Sequence, residues 1–105
     1  MNLDEVQARS LRIKQAYDAL NAKNGHKKWG ASDYMAGFVK DAGDLSKLLM
    51  VKNGLRGYEG NLEHDIQHEI GDCFWSLFVM CSELNIAPQD AMELTLTELE
   101  GRLHA

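Results

Sequence analysis

Pro88 is the only proline in a chain of 105 residues, and most of its loop-forming glycine lies in two clusters, Gly25 with Gly30 and Gly54 with Gly57 and Gly60. These breakers divide the chain into four stretches, and inside each the apolar residues recur at helical spacing. Leu3, Val6, Ile13, Tyr17 and Leu20 make one stripe; Phe38, Leu45, Leu48 and Leu49 make the second. The third runs through Ile66, Ile70, Cys73, Phe74, Leu77, Cys81 and Leu84, and the fourth through Met92, Leu96, Leu99 and Leu103. No segment of useful length alternates with period two. The expectation is an all-α chain in which Ser32 or Asp33 caps the second helix and Asn61 the third. "NIAP" ends the third helix and places Pro88 in the first turn of the fourth.

With 45 % hydrophobic side chains, the chain has material for one domain, residues 1–105, with a modest core. Much of the surface that four helices offer has no cover within so short a chain, so a homodimer or tetramer is expected. The net charge of -5 comes without a basic block, which argues against duplex nucleic acid as a partner. A polyanion would have to be met through metal ions. No run approaches the roughly 18 apolar residues that span a bilayer, and the first ten residues lack the apolar run of a signal peptide, so the expected setting is cytoplasmic. Cys73 and Cys81 fall on one helix about 12 Å apart along its axis, too far to bridge. Free thiols suit a reducing compartment.

The feature that carries chemistry is a phrase written twice, "KDAGDLSKLL" at 40–49 and "HEIGDCFWSL" at 68–77. Residues three apart share a helix face, so Asp41 with Asp44 and Glu69 with Asp72 each present two carboxylates beside an apolar stripe. If the second and third helices are antiparallel neighbours, four carboxylates can converge. Like charges resist simultaneous ionisation, so a compensating cation is implied. Hard oxygen donors favour Mg2+, with Mn2+ as the second choice. Gly43 and Gly71, each just before an aspartate, cost helix stability and leave room for a ligand or another backbone. One such acidic pair alone is an ordinary exposed helix face; two, with the same glycine at the same place, point to a metal site.

On these residues the chain resembles the MazG-like, all-α nucleoside triphosphate pyrophosphohydrolase superfamily, over roughly residues 29–103. That family carries E-x-x-E on one helix and E-x-x-D on the next. "HEIGDCFWSL" matches the second motif closely, and "DAGDLSKLL" stands at the first with aspartates in place of glutamates. The resemblance implies a four-helix protomer that assembles into a helical bundle as a homodimer or higher oligomer. It implies that Asp41, Asp44, Glu69 and Asp72 hold Mg2+ on a nucleoside triphosphate, with a deoxynucleotide the leading guess. Cleavage between the α and β phosphates would yield a monophosphate and pyrophosphate, in a nucleotide-pool housecleaning role. An aspartate reaches about 1.5 Å less far than a glutamate. A catalytically weakened nucleotide-binding or regulatory module is therefore the alternative, and a structural helical interaction protein the third possibility.

Lys47, Lys52 and Arg56 follow the first acidic pair and can contact phosphates, Arg56 with a bidentate grip; otherwise they are solvated surface charges. Arg102 falls near a basic position of the family's last helix. Trp29 can stack on a base or fill the core, whereas Trp75 projects from its helix away from the apolar stripe and suits a subunit contact. His64 and His68 in "HDIQHE" have metal-ligand spacing, and a transition-metal site including Glu69 competes there with surface or supporting histidines. The protease order H-E-x-x-H is not present. Cys73 and Cys81 are most simply core residues.

Overall fold

The structure is a computed structural model and describes residues 1–104. Among these residues there are four helices and no strand: α1 (Leu3–Lys23), α2 (Ala31–Lys52), α3 (Leu62–Glu83) and α4 (Pro88–Leu103). Each start has a local cause. The Asn2 side chain accepts from the Glu5 N–H at 2.9 Å, and Asn61 accepts from the His64 N–H at 3.1 Å, as the sequence predicts. Pro88 opens α4, where its missing N–H costs nothing. At α2 the expected cap is corrected. Gly30 is the cap residue, and Asp33, inside the first turn, reaches back to accept from the Gly30 N–H at 2.9 Å. That is the return half of a capping box.

The stops share one geometry. The amides of His26, Leu55 and Ile86 donate to the carbonyls of Asn21, Met50 and Cys81, closing α1, α2 and α3 in the same hydrogen-bond pattern. The residue before each amide is left-handed: Gly25, Gly54 and Asn85, with φ of 72°, 78° and 56°. Two of these are members of the glycine clusters that punctuate the sequence.

The chain divides into two compact units. One is Met1–Lys28 with the chain from Phe78 onward, the other Trp29–Leu77; α3 contributes to both. In the first unit the Gln7 side chain donates to the Phe78 carbonyl, and Lys14, only 6 % exposed, pairs with Asp18 one turn on and with Glu83 of α3 at 3.0 Å. Burial works against the Lys14 charge, but the hydrogen bonds and charges of Asp18 and Glu83 prevail and raise its pKa. In the second unit α2 and α3 run antiparallel, since Tyr34 meets Trp75 near one end while Leu48 and Asp65 line the same cleft near the other.

Much of the apolar stripe on α1, α3 and α4 stays exposed, whereas Phe38, Leu45 and Leu48 on α2 are half-buried. Among the described residues, Tyr34 and Val79 are the buried hydrophobic ones, joined by Ser10, Lys14 and Ser76. Ile13, Tyr17 and Leu20 on α1, Ile70, Phe74 and Leu77 on α3, and Met92, Leu96 and Leu99 on α4 are all exposed. On α3 the side turned to α2 carries Asp65, Glu69 and Asp72, and at about 100° per residue the Ile70–Phe74–Leu77 line lies about 140° away, more than a third of a turn. Gly43 and Gly71 are exposed, and a Cβ built on either would meet nothing. No single helix among the described residues is long and apolar enough to cross a membrane.

Candidate functional site

The doubled phrase meets itself inside the second unit. Asp41 of α2 and Glu69 and Asp72 of α3 each bring a ligand oxygen to within 4.8 Å of the other two, and all three residues are half-buried. The positions follow from helix geometry. Glu69 and Asp72 are three apart on the face of α3 turned to α2, and Asp41 lies seven residues, two turns, beyond Tyr34 on the corresponding face of α2. Asp41 and the Glu69–Asp72 pair therefore lie within the α2–α3 seam. At the sequence level they border the apolar stripe; in the fold, the stripe of α3 turns outward and the acids turn in.

The electrostatics show the strain of this arrangement. The Glu69 carboxyl is pushed up by burial, then by the charges of Asp41, Asp72 and Asp44. Asp41 is pushed up by burial and next by Asp72. The Cys73 thiol, on the turn that follows Glu69, is raised by burial and by the same three acids. Glu69 Oε2 is buried and has no hydrogen-bond partner. A buried, unpaired carboxylate oxygen costs about 1–3 kcal/mol, and a cation would remove that cost. The donor set fits a magnesium ion. Mg–O bonds of about 2.0–2.1 Å place octahedral ligand oxygens about 2.9 Å apart when neighbouring and about 4.2 Å when opposite, so the triad must draw together by up to about 2 Å for all three residues to ligate one ion.

Asp44 is not in the triad. Its Oδ2 is held by Lys40 at 3.0 Å. That pair is exposed and its members lie one turn apart, so a cation could recruit Asp44 at little cost. Beside the triad a cleft of about 430 Å³ is lined by Asp44, Lys47, Arg56, Tyr58, Asp65 and Glu69, among others. Two of the predicted phosphate contacts, Lys47 and Arg56, thus share a cleft with two of the predicted ligands. Lys52, the last residue of α2, and Trp29 do not line it. Trp29 stands edge-on to Tyr34 with ring centroids 5.6 Å apart and is half exposed. Trp75 lies off the apolar stripe, as expected, but it packs edge-on against Tyr34 of α2 in the same chain, with ring centroids 5.7 Å apart, where the expectation is a subunit contact. It lies three residues beyond Asp72, on the side that turns to α2. Arg102 is in the last turn of α4, in the other unit.

Tyr58 and Asp65 are cleft residues that sequence reasoning missed. The Tyr58 hydroxyl donates to Asp65, which ties the loop bearing Arg56 to the first turn of α3. That hydrogen bond and the His64 ring lower the Asp65 pKa. A signal was available for Asp65, which lies one turn before Glu69 on the same face. Tyr58 gives none beyond its place in a glycine-rich loop. Cys73 and Cys81 are free. Compared with known protein families, curated proteins and solved structures, the chain matches none.

Proposed function

We propose that the protein is a MazG-like, magnesium-dependent nucleoside triphosphate pyrophosphohydrolase that releases a nucleoside monophosphate and pyrophosphate, with deoxynucleotides as the first substrates to test. The observation that carries this is the triad of Asp41, Glu69 and Asp72, with an unpartnered buried oxygen, opening beside a cleft that also holds Lys47 and Arg56. A bound magnesium ion would offset phosphate charge and lower the pKa of an attacking water. The chain's own part is to hold that ion with the triad, to draw Asp44 away from Lys40 when a further oxygen is needed, and to meet the phosphates with Lys47 and Arg56. The short reach of Asp41 is offset where α2 and α3 bring its carboxylate to the other two.

The active form is proposed to be a homodimer or larger oligomer in a reducing, cytoplasmic setting, consistent with free Cys73 and Cys81. The exposed line of Ile70, Phe74 and Leu77, with room left at Gly71, supports helix packing by a second copy. Full burial of such side chains contributes about 1.5–3 kcal/mol each.

Incubation of purified protein with a panel of nucleoside and deoxynucleoside triphosphates and Mg2+, with pyrophosphate as the readout, tests the proposal. Pyrophosphate release that disappears in EDTA and in Glu69→Gln is expected. Metal-dependent nucleotide binding without product would favour the weakened module, to which the aspartates at 41 and 44 lend support.

A further inference from the structure

The loop between α2 and α3 carries Arg56 into the cleft beside the triad. Among the described residues its backbone hydrogen bonds stop at the Leu55 amide, which donates to the Met50 carbonyl, and resume where the Asp65 amide donates to the Asn61 carbonyl. Side chains must therefore hold the stretch between. Tyr58 does so by donating its hydroxyl to Asp65 Oδ2 in the first turn of α3. The other oxygen of Asp65 faces His64 Nδ1 at 3.0 Å, and the Asn61 side chain accepts from the His64 N–H at 3.1 Å, so the acceptor stands on a capped helix start. Gly60 lets the chain turn back beneath this contact. Its φ of 125° is one that side chains disfavour, and a Cβ there would lie 3.4 Å from the Tyr58 ring and 3.6 Å from Asp65 Oδ2.

From this arrangement we propose that the Tyr58–Asp65 hydrogen bond is a latch that positions Arg56 for the phosphates of a nucleotide in the cleft, with Tyr58 and Asp65 as positioning residues. Lys47 needs no such help, because it stands on the regular turns of α2. Arg56 has only the loop, and a loop left free must be ordered when the ligand binds, at a cost in entropy. The latch removes part of that cost beforehand, since the Leu55 amide on one side and Tyr58 on the other leave Arg56 and Gly57 between two fixed points. The same contact suits the cleft to a polyanion. Both oxygens of Asp65 are turned to donors and do not face the incoming charge unpartnered. The phosphate role rests on the function proposed above, whereas the latch itself does not.

Limited digestion of the full-length protein with trypsin, free of metal and nucleotide, reads the latch directly. Cleavage after Arg56 yields residues 1–56 and 57–105, which mass spectrometry identifies, and cleavage after Lys28, in the loop before α2, is the internal reference. Tyr58→Phe and Asp65→Ala should speed cleavage at Arg56 about three- to tenfold, the scale of one hydrogen bond. Asp65→Asn, which keeps an oxygen for the hydroxyl, should recover most of the protection. Both side chains are solvent-accessible, so the variants should fold, which circular dichroism checks. Wild-type rates in Tyr58→Phe, or equal rates in Asp65→Asn and Asp65→Ala, would overturn the latch. In a second arm, Tyr58→Phe should lower kcat/KM on the best substrate of the panel by a similar factor and add nothing in an Arg56→Ala background, because a residue that acts through another has no effect once that other is gone. Where nucleotide binds with metal but no product forms, the dissociation constant serves in place of kcat/KM. The same fold-loss in both backgrounds would refute the positioning of Arg56. Neither turnover nor binding by the wild type would refute the nucleotide function together with the phosphate role of Arg56, and would leave a hydroxyl-dependent latch standing.

Discussion

Asp41 on α2 holds a carboxylate oxygen within 4.8 Å of the Glu69 carboxylate on α3, and Glu69 buries its Oε2 with no hydrogen bond to satisfy it. Two acids facing each other across a helix seam, where an apolar contact would be more stable, are a cost in free energy that a bound cation would relieve.

Magnesium should raise the melting temperature, because only the folded chain gathers the triad. At a concentration about 100 times the dissociation constant the gain is about 2.7 kcal/mol. Thermal melts across millimolar Mg2+ should show the rise in the wild type and a diminished one in Glu69→Gln and Asp72→Asn. An identical rise in all three proteins would place the ion elsewhere.

Without metal, stability should fall as pH rises above the ordinary carboxylate range. Asp41 and Glu69 have folded pKa values raised above 3.8 and 4.5, first by burial. The folded chain therefore holds these protons more readily than the unfolded chain does. Their contribution is fully present below the ordinary values and is lost as pH climbs through the raised ones. Asp65, whose pKa is lowered by Tyr58, acts at more acidic pH, its contribution lost as pH falls through the lowered value. Melts in EDTA should decline over the first window, and Glu69→Gln should flatten the decline.

Arg56→Ala should lower kcat/KM about 10- to 100-fold, the worth of one charge-assisted hydrogen bond of about 1.5–3 kcal/mol. Arg56→Lys should recover only part of the loss, because a point charge does not replace a planar fork. Steady-state kinetics on the best substrate of the panel measures both. Lys52→Ala, outside the cleft, serves as the control and should leave kcat/KM near the wild-type value.

Lys14→Met should destabilise the first unit by about 2–3 kcal/mol, somewhat less than the 3–5 kcal/mol of a fully buried pair, because Asp18 and Glu83 keep some solvent exposure. Chemical denaturation gives the value. A loss under 0.5 kcal/mol, the scale of an ordinary surface change, would show that the carboxylates rehydrate freely.

Phe74→Asp should shift the protein toward monomer in sedimentation experiments without loss of helicity. Phe74 is 57 % exposed in the single chain, so a charge there disturbs little unless a second copy covers it. An unchanged mass distribution would remove the support that this face gives to assembly.

Much of the local structure was legible in residue order alone. The four helices, the Asn61 cap, the Pro88 start and the left-handed stops at Gly25 and Gly54 follow from short-range chemistry, in which each residue's partner lies within about one turn or two. The pairing of carboxylates three apart on one helix is equally local. What residue order left open was which face of each helix would turn inward. Periodicity reveals that Ile70, Phe74 and Leu77 share a side of α3, but a stripe has no built-in direction, and a surface elsewhere must decide whether it is covered. Packing of α2 against α3 chose the acidic side: it brought Asp41 to Glu69 and Asp72, left Asp44 with Lys40, turned Trp75 onto Tyr34, and joined Tyr58 to Asp65 across a loop. Those contacts depend on two helix surfaces meeting at a particular register, a relation between distant parts of the chain that no spacing within either helix encodes.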